Sequence, residues 1–467
     1  MDALTDLSLS FAGRILTDPS DMEPFLRDWR GQWTGAARAV LQPETVEDVA
    51  AAVRWCSANA ISIVPQGGNT GLSGGATPDS SGTSVVLSLA RMKRVRSVDL
   101  ANDTITVDAG CILAEIQTAA SEAGRFFPLS LAAEGSCTIG GNLATNAGGT
   151  AVLRYGNIRE LCLGLEVVTA QGEIWDGLRG LRKDNSGYDL RDLFIASEGT
   201  LGIITGAVLR LFPQPSARVA AFAALGSPTD AVALLKDARN ALGSMLAAFE
   251  LVSSTSLDMV VEHLPGRRSP FEGESPWYVL LEISDLGPEE RARELLETIL
   301  ANAFEKSWVS DAVVASSVAQ SRALWELREA ISEAQAAAGK AIKHDVALPI
   351  SAIPSFLDAA DKAVHALDPT ARLVTFGHLG DGNLHYNLSP PPGDDGTALA
   401  GLLSAMNQAV HDIVVDLGGT FSAEHGLGQL RAGEAARYKS PVELDLMRRI
   451  KSALDPENLM NPGKVFA

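Results

Sequence analysis

The chain has 467 residues, 46% hydrophobic and 20% charged, with a formal net charge of −19. That length exceeds what one hydrophobic core usually organises, so two or more domains are expected. The acid excess repels phosphate backbones and anionic lipid, which excludes nucleic acid and acidic membranes as general partners and requires a local basic pocket for any anionic substrate.

The opening stretch, MDALTDLSLSFAGRILTDPSDME, has neither the basic start nor the continuous apolar run of a secretory signal. Between Glu44 and Ala60 apolar residues recur at helical spacing (Val46, Val49, Val53, Cys56), and Thr45 with Asp48 three residues on predicts a capped start. ISIVPQ predicts a short strand entering a glycine-rich loop. SVVLSL and DTITVDAG predict strands, ILAEIQTAASEAG a helix closed by Gly124, and ELCLGLEVVTAQGEIW a hairpin around Gln171-Gly172. LGIITGAVLRLFP predicts a long strand ended by Pro213 and Pro215. Beyond it, VAAFAALGSPTDAVALLKDARNALG predicts strand, turn and helix, WYVLLEIS a strand, PEERARELLETILANAFE a helix and DAVVA a strand. That βαββαβ-like alternation predicts a ferredoxin-like α+β domain with an antiparallel sheet. A long helix (SSVAQSRALWELREAISEAQAAAG), a histidine-bearing hairpin, another helix and a closing helix (ELDLMRRIKSALDP) follow. No run of 18 apolar residues predicts a spanning helix. Four cysteines (Cys56, Cys111, Cys137, Cys162) make neither a CxxC pair nor a disulfide framework, which fits a reducing cytoplasm.

Three segments of the first half are rich in Gly, Asn, Ser and Thr: Pro65 to Gly75, Glu134 to Gly149 and Ser197 to Thr205. Each alone reads equally well as a tight connection. Together they suggest backbone N–H groups brought close to an anion, and a diphosphate fits. None has the spacing of a P-loop or of a dinucleotide fingerprint, and no nicotinamide site is expected.

Residues 377–387 read GHLGDGNLHYN. Asp381-Gly382 predicts a two-residue hairpin turn pairing Gly380 with Asn383, Leu379 with Leu384 and His378 with His385. The two imidazoles would then be cross-strand neighbours with Cβ atoms roughly 5 Å apart, close enough to share a metal ion. Asn387, two residues beyond His385, shares its face and could hydrogen-bond a substrate. A histidine pair alone reads more readily as a packing or hydrogen-bonding pair than as a metal site, but Ser422 to Gly426 (SAEHG) adds Glu424 and His425. Two imidazoles and a carboxylate suit Zn²⁺, Fe²⁺ or Mn²⁺ with positions left open. Adjacent strand residues face opposite ways, so a bulge or strand end is expected at Glu424-His425, which Gly426 and Gly428 would permit.

PQGGNTGLSGG, GSCTIGGNLATNAGG, SEGTLGIIT, GHLGDGNLH, AEHGLG and DPENLMNPGKVF occur in this order. In them the chain resembles the FAD-dependent D-2-hydroxyacid dehydrogenases of the vanillyl-alcohol oxidase (PCMH-type) superfamily, from about Trp33 to Phe466. The resemblance implies an α+β protein: a PCMH-type FAD-binding domain over 1–215, then an FAD-linked oxidase C-terminal substrate and metal domain over 216–467. That second domain would carry the ferredoxin-like antiparallel sheet and a C-terminal helical segment, with residues from about 425 to 467 packing back towards the FAD domain. It implies non-covalent FAD held by Pro65, Gly67, Gly68, Asn69, Thr70, Gly71, Leu72, Ser136, Thr138, Gly141, Asn142, Thr145, Glu198, Gly199 and Ile203. It further implies a divalent ion, zinc foremost, on His378, His385 and Glu424, with His425 as catalytic base and substrate contact. Within the family the D-2-hydroxyglutarate dehydrogenases bind substrate carboxylates with residues matching Arg328, Ser332 and Lys343, Ser332 standing where they have Thr. The bland reading of these three is a solvated helix face and its surroundings. His344 beside Lys343 is expected to be structural. The implied activity is FAD- and metal-dependent oxidation of D-2-hydroxyglutarate to 2-oxoglutarate by proton abstraction and hydride transfer to flavin. D-lactate or a broad range of D-2-hydroxyacids is the alternative, and a non-catalytic flavin-binding subunit the more distant one. An acceptor such as an electron-transfer flavoprotein or a quinone would reoxidise the flavin, and a homodimer is compatible with the sequence.

Overall fold

The computed structural model describes residues 6–7 and 10–466, so the opening stretch discussed above lies partly outside the described residues. The chain divides into two units, one of residues 1–149, 156–214 and 424–467, the other of residues 150–155 and 215–423.

In the first unit β1 (Arg14–Leu16), β2 (Val40–Gln42), β3 (Ile63–Gln66) and β4 (Val85–Ser88) form a sheet in the order β1-β2-β4-β3. β4 runs parallel to both neighbours and is buried along its whole length, the pattern of a strand covered on both faces. The helix Val46–Ala58 leads into β3. It opens on the expected capping box, in which Thr45 accepts from the Asp48 N–H and Asp48 from the Thr45 N–H. The strands β5 (Val95–Asp99), β6 (Thr104–Asp108), β7 (Arg125–Phe126), β8 (Cys162–Thr169), β9 (Ile174–Gly177), β10 (Gly202–Arg210) and β11 (Phe212–Pro213) follow. Five of them make an antiparallel sheet in the order β5-β6-β10-β8-β9, and β7 pairs with β11 as a small ribbon. The β8–β9 hairpin turns at Gly172, at φ +74°.

Residues 424–467 close this unit. Met460 bridges Ile63 beside β3, and the Asn461 amide donates to the carbonyls of Gly75 (2.9 Å) and Glu198 (2.8 Å). Lys451, on the helix Pro441–Leu454, gives its ammonium to Thr200 O, Met460 O and the Asp455 carboxylate at 2.7, 2.8 and 2.5 Å.

The second unit is built on β12 (Ala217–Leu225), β13 (Leu246–Ser253), β14 (Trp277–Asp285), β15 (Val309–Val314), β16 (Ile342–Ala347), β17 (Arg372–Gly377) and β18 (Asn383–Ser389). They form one antiparallel sheet in the order β15-β12-β14-β13-β17-β18-β16. The first four strands, with helices Pro228–Leu242 and Glu289–Glu305 as crossovers, have the fourth-first-third-second order of a ferredoxin-like fold. β17, β18 and β16 extend that sheet past β13.

Alternation along the strands gives the sheet two different faces. One face, with Leu251, Leu281, Leu384 and Tyr386, packs a large apolar core under helices that include Pro228–Leu242, Glu289–Glu305 and Ile353–Leu367. Burying each such leucine contributes about 2 kcal/mol. The other face carries Val252, Leu280 and Phe376 against Leu257, Leu324 and Ile331 of helices Ser254–His263, Val318–Glu329 and Ile331–Ala337. No helix among the described residues is long and apolar enough to cross a membrane.

Candidate active site

A cavity in the first unit lies against the loop leaving β3. All the residues expected to hold the cofactor line it except Leu72 and Ser136; Gln66, Ser73, Leu89, Gly140 and His425 are among those that join them. Ser136 is exposed, with its hydroxyl turned to Ala133 O, and Leu72 is half-buried outside the lining. The loops meet because glycines allow it: a Cβ on Gly67 would collide with the Thr138 hydroxyl, and one on Gly68 with the Ser136 carbonyl. Gln66 braces the loop by donating to Phe25 O and Ala76 O, both at 2.9 Å.

Glu198 sits at φ +53°, rare for a residue with a side chain. Its carboxylate accepts the backbone N–H groups of Leu427 (2.7 Å) and Gly428 (2.8 Å), so it holds the turn just after His425 as well as lining the cavity. Loss of water raises the Glu198 carboxyl pKa, and the two N–H groups hold the rise back. Burial pushes the Lys464 ammonium down to about 8, against the pull of Asp79 and Glu198. Glu424 and His425 lie in irregular chain, after the bridge between Thr420 and Ala347, where Gly426 and Gly428 take φ +69° and +51°.

In the second unit the histidine segment differs from the expected hairpin. β17 and β18 pair Phe376, not His378, with His385, and residues 378–382 form a five-residue loop. His378 caps that loop, its carbonyl accepting from the N–H groups of Asp381, Gly382 and Asn383. The chain reverses over more residues than an Asp-Gly turn needs, and Gly377 leaves the strand at φ +147°. The imidazoles still meet, with ring centroids 5.9 Å apart and planes at 75°. Ala423 gives its N–H to Asp345 O on β16 (3.2 Å), which fixes where the next residue, Glu424, leaves the sheet. One ligand atom from each of His378, His385 and Glu424 lies within 4.8 Å of the others.

Behind the histidines stand residues with no expected role. Glu250 on β13, 1% exposed, accepts from His378 Nδ1 (2.8 Å) through one oxygen and from Arg328 Nε (2.9 Å) and Nη2 (2.8 Å) through the other. Burial alone would raise its carboxyl, but His378 and Arg328 bring it down to about 2. Asp345, opposite His385 in register, lies 4.0 Å from His385 Nδ1 and accepts from the Asn383 amide at 2.9 Å.

The expected substrate residues are placed unevenly. Arg328 is buried, over the Phe376 ring at 4.9 Å, whereas Ser332 is exposed. The two do not share one continuous helix face, because the helix ends at Glu329 and restarts at Ile331. Lys343 is exposed on β16 directly opposite Asn387, so the two share a face with His385. The Asn387 amide donates to Gln335 (2.9 Å), and its oxygen accepts the His344 N–H (3.1 Å). His344 itself is buried with Nδ1 on Tyr386 O (2.7 Å), on the other face of β16.

A family model described as "FAD linked oxidases, C-terminal domain" matches residues 214–465, and one described as "FAD binding domain" matches residues 37–177. The chain belongs to the FAD linked oxidases. It is 42% identical to a D-2-hydroxyglutarate dehydrogenase of Xanthomonas citri pv. viticola, over 97% of this chain and 94% of that protein. It is 40% identical to the mitochondrial D-2-hydroxyglutarate dehydrogenase of Bos taurus (100% and 83% covered) and 38% to that of Arabidopsis thaliana (97% and 79%). Among solved structures, p-cresol methylhydroxylase with substrate bound aligns at TM-score 0.75 and 17% identity, covering 99% of this chain and 96% of that one. Alkyldihydroxyacetonephosphate synthase aligns at TM-score 0.74 and 18% identity, covering 99% and 84%. At these identities the likeness is one of fold, the PCMH-type architecture.

The cavity of this FAD linked oxidase has the chemistry a flavin diphosphate needs. The glycine loops form a cradle in which a Cβ on Gly67 or Gly68 would collide with the opposite loop, and the buried Thr138 hydroxyl in the lining has no hydrogen-bond partner among the described residues. Cys137 lies outside the lining; its thiol is buried, meets the Asn142 amide, and burial pushes its pKa up, the opposite of a flavin-tethering nucleophile. Glu250 was legible in principle: it is the only charge in the strand LAAFELVS. A lone carboxylate in an apolar strand needs a partner there.

Proposed function

We propose that this FAD linked oxidase oxidises D-2-hydroxyglutarate to 2-oxoglutarate with non-covalent FAD and a divalent ion, zinc foremost. The observation that carries the reading is the convergence of His378, His385 and Glu424 on one point, with the next residue, His425, lining the glycine-loop cavity. Bound in that cavity, FAD supplies an acceptor for two electrons and the C2 hydrogen. A divalent ion on the triad supplies Lewis-acid polarisation of the substrate's C2 hydroxyl.

His425 takes the hydroxyl proton, and the Glu198 carboxylate on Leu427 and Gly428 keeps its loop in place. Arg328 and Lys343 offer cations for a dicarboxylate, with the Ser332 hydroxyl as a further donor. Asn387 stands opposite Lys343 with one amide hydrogen beyond that given to Gln335. Two cations favour a dicarboxylate over lactate. The reaction then needs an acceptor such as an electron-transfer flavoprotein or a quinone to reoxidise the flavin. Four buried free cysteines favour a reducing compartment, the cytoplasm being the simplest.

Anaerobic stopped-flow mixing of the flavin-loaded protein with D-2-hydroxyglutarate, L-2-hydroxyglutarate and D-lactate tests this reading. Flavin bleaching should be fast only with the first. Bleaching by D-lactate but not hydroxyglutarate would replace the substrate, and bleaching by none would favour a non-catalytic flavin subunit.

A further inference from the structure

Glu250 is an expensive residue to keep where it is. Removing a carboxylate from water costs several kcal/mol before its partners return anything, and apolar residues of similar volume often serve stability as well. Its two oxygens are divided between two different tasks: Oε1 meets His378 Nδ1, and Oε2 takes Arg328 through Nε and Nη2. Arg328 in turn lies over Phe376, whose ring is 4.9 Å from that of His385. His385 faces His378, so these five side chains close a ring around which each fixes the next.

We propose that Glu250 is a positioning residue that couples ion binding at His378 to carboxylate binding at Arg328. By accepting from Nδ1–H it fixes the His378 tautomer whose Nε2 carries the lone pair that a metal ion takes, and it holds the ring plane. The same carboxylate sets the plane of the Arg328 guanidinium. A substrate carboxylate that draws on Arg328 therefore acts on Glu250, and through it on His378, so ion and dicarboxylate bind more tightly together than apart. The inference rests on the reading that the triad holds a divalent ion and that Arg328 meets a carboxylate.

The test uses the full-length flavin-loaded protein, Glu250→Gln and Glu250→Asp. Zinc retention is followed in graded chelator with and without 2-oxoglutarate, with flavin content and thermal unfolding as controls on folding. Wild type should lose zinc more slowly when 2-oxoglutarate is present. Glu250→Gln should bind zinc about 10–100-fold more weakly and lose that protection, and its KM should rise more for D-2-hydroxyglutarate than for D-lactate. Glu250→Asp should recover part of each effect, and carries the comparison if the Gln variant does not fold. A folded Gln or Asp variant with wild-type zinc affinity, protection and KM overturns the coupling alone. A wild-type protein that takes up no divalent ion overturns the metal reading and the coupling with it.

Discussion

Gly428 shows how closely single residues are fitted around the cavity. It takes φ +51°, and a Cβ there would collide with the Ser73 carbonyl, a backbone atom that itself accepts from the Gln429 and Leu430 N–H groups. Neither side can give way cheaply. Gly428→Ala should therefore destabilise the chain by more than about 1 kcal/mol and lower the flavin bound per protein. The ratio of flavin to protein absorbance and the urea midpoint read both, and wild-type values would mean that the Ser73 loop moves aside. Glu198 accepts a comparable strain without being glycine. Its left-handed backbone costs on the order of 1 kcal/mol, which two charge-assisted hydrogen bonds to Leu427 and Gly428 can offset. Its motif pointed to the flavin; its carboxylate serves the histidine loop. Side-chain partners a long way off in sequence, here 229 and 230 residues, leave no local trace.

Helix starts and turns depend on neighbours in sequence, and here the chain was legible. The Thr45–Asp48 capping box forms as its spacing implies. Thr45→Ala should cost about 1 kcal/mol, read as a lower urea midpoint with an unchanged slope. The βαββαβ alternation likewise reads through to the strand order, because two-residue and helical periods report which face each element buries. The histidine hairpin shows where this stops. Asp381-Gly382 is a sound turn signal, but register is set by the sheet. β18 is paired on both sides, Phe376 and Asp345 both facing His385, and that pairing puts five residues in the loop. Arg328 and Ser332 fail similarly: four-residue spacing implies one face only while the helix is unbroken, and it resets at Ala330. The two imidazoles came together despite the wrong register because the loop turns His378 back over the strand.

Over the whole molecule the formal charge of −19 opposes the approach of a dianionic substrate. Exposed charges farther off than about 10 Å are screened at 0.1 M salt, whereas cations that touch the substrate are screened much less. Between 10 and 150 mM salt, kcat/KM for D-2-hydroxyglutarate should therefore rise, and by more than for singly charged D-lactate. Steady-state rates at constant pH measure this. A steady fall would mean that the field of Arg328 and Lys343 governs the encounter.

The first unit draws its last pieces from residues 424–467, on the far side of the whole second unit in sequence. Its β3 edge waits for Met460, its Thr200 turn for Lys451, and its Gly75 loop for Asn461. A ribosome that has made the first two hundred residues has made most of the flavin-binding unit but not its closure. The residues of the second unit are made before the first is complete. A chain cut short before residue 424 lacks Asn461 on the Gly75 loop and Lys451 on the Thr200 turn, so those loops lose the contacts that reach them from the far end of the sequence.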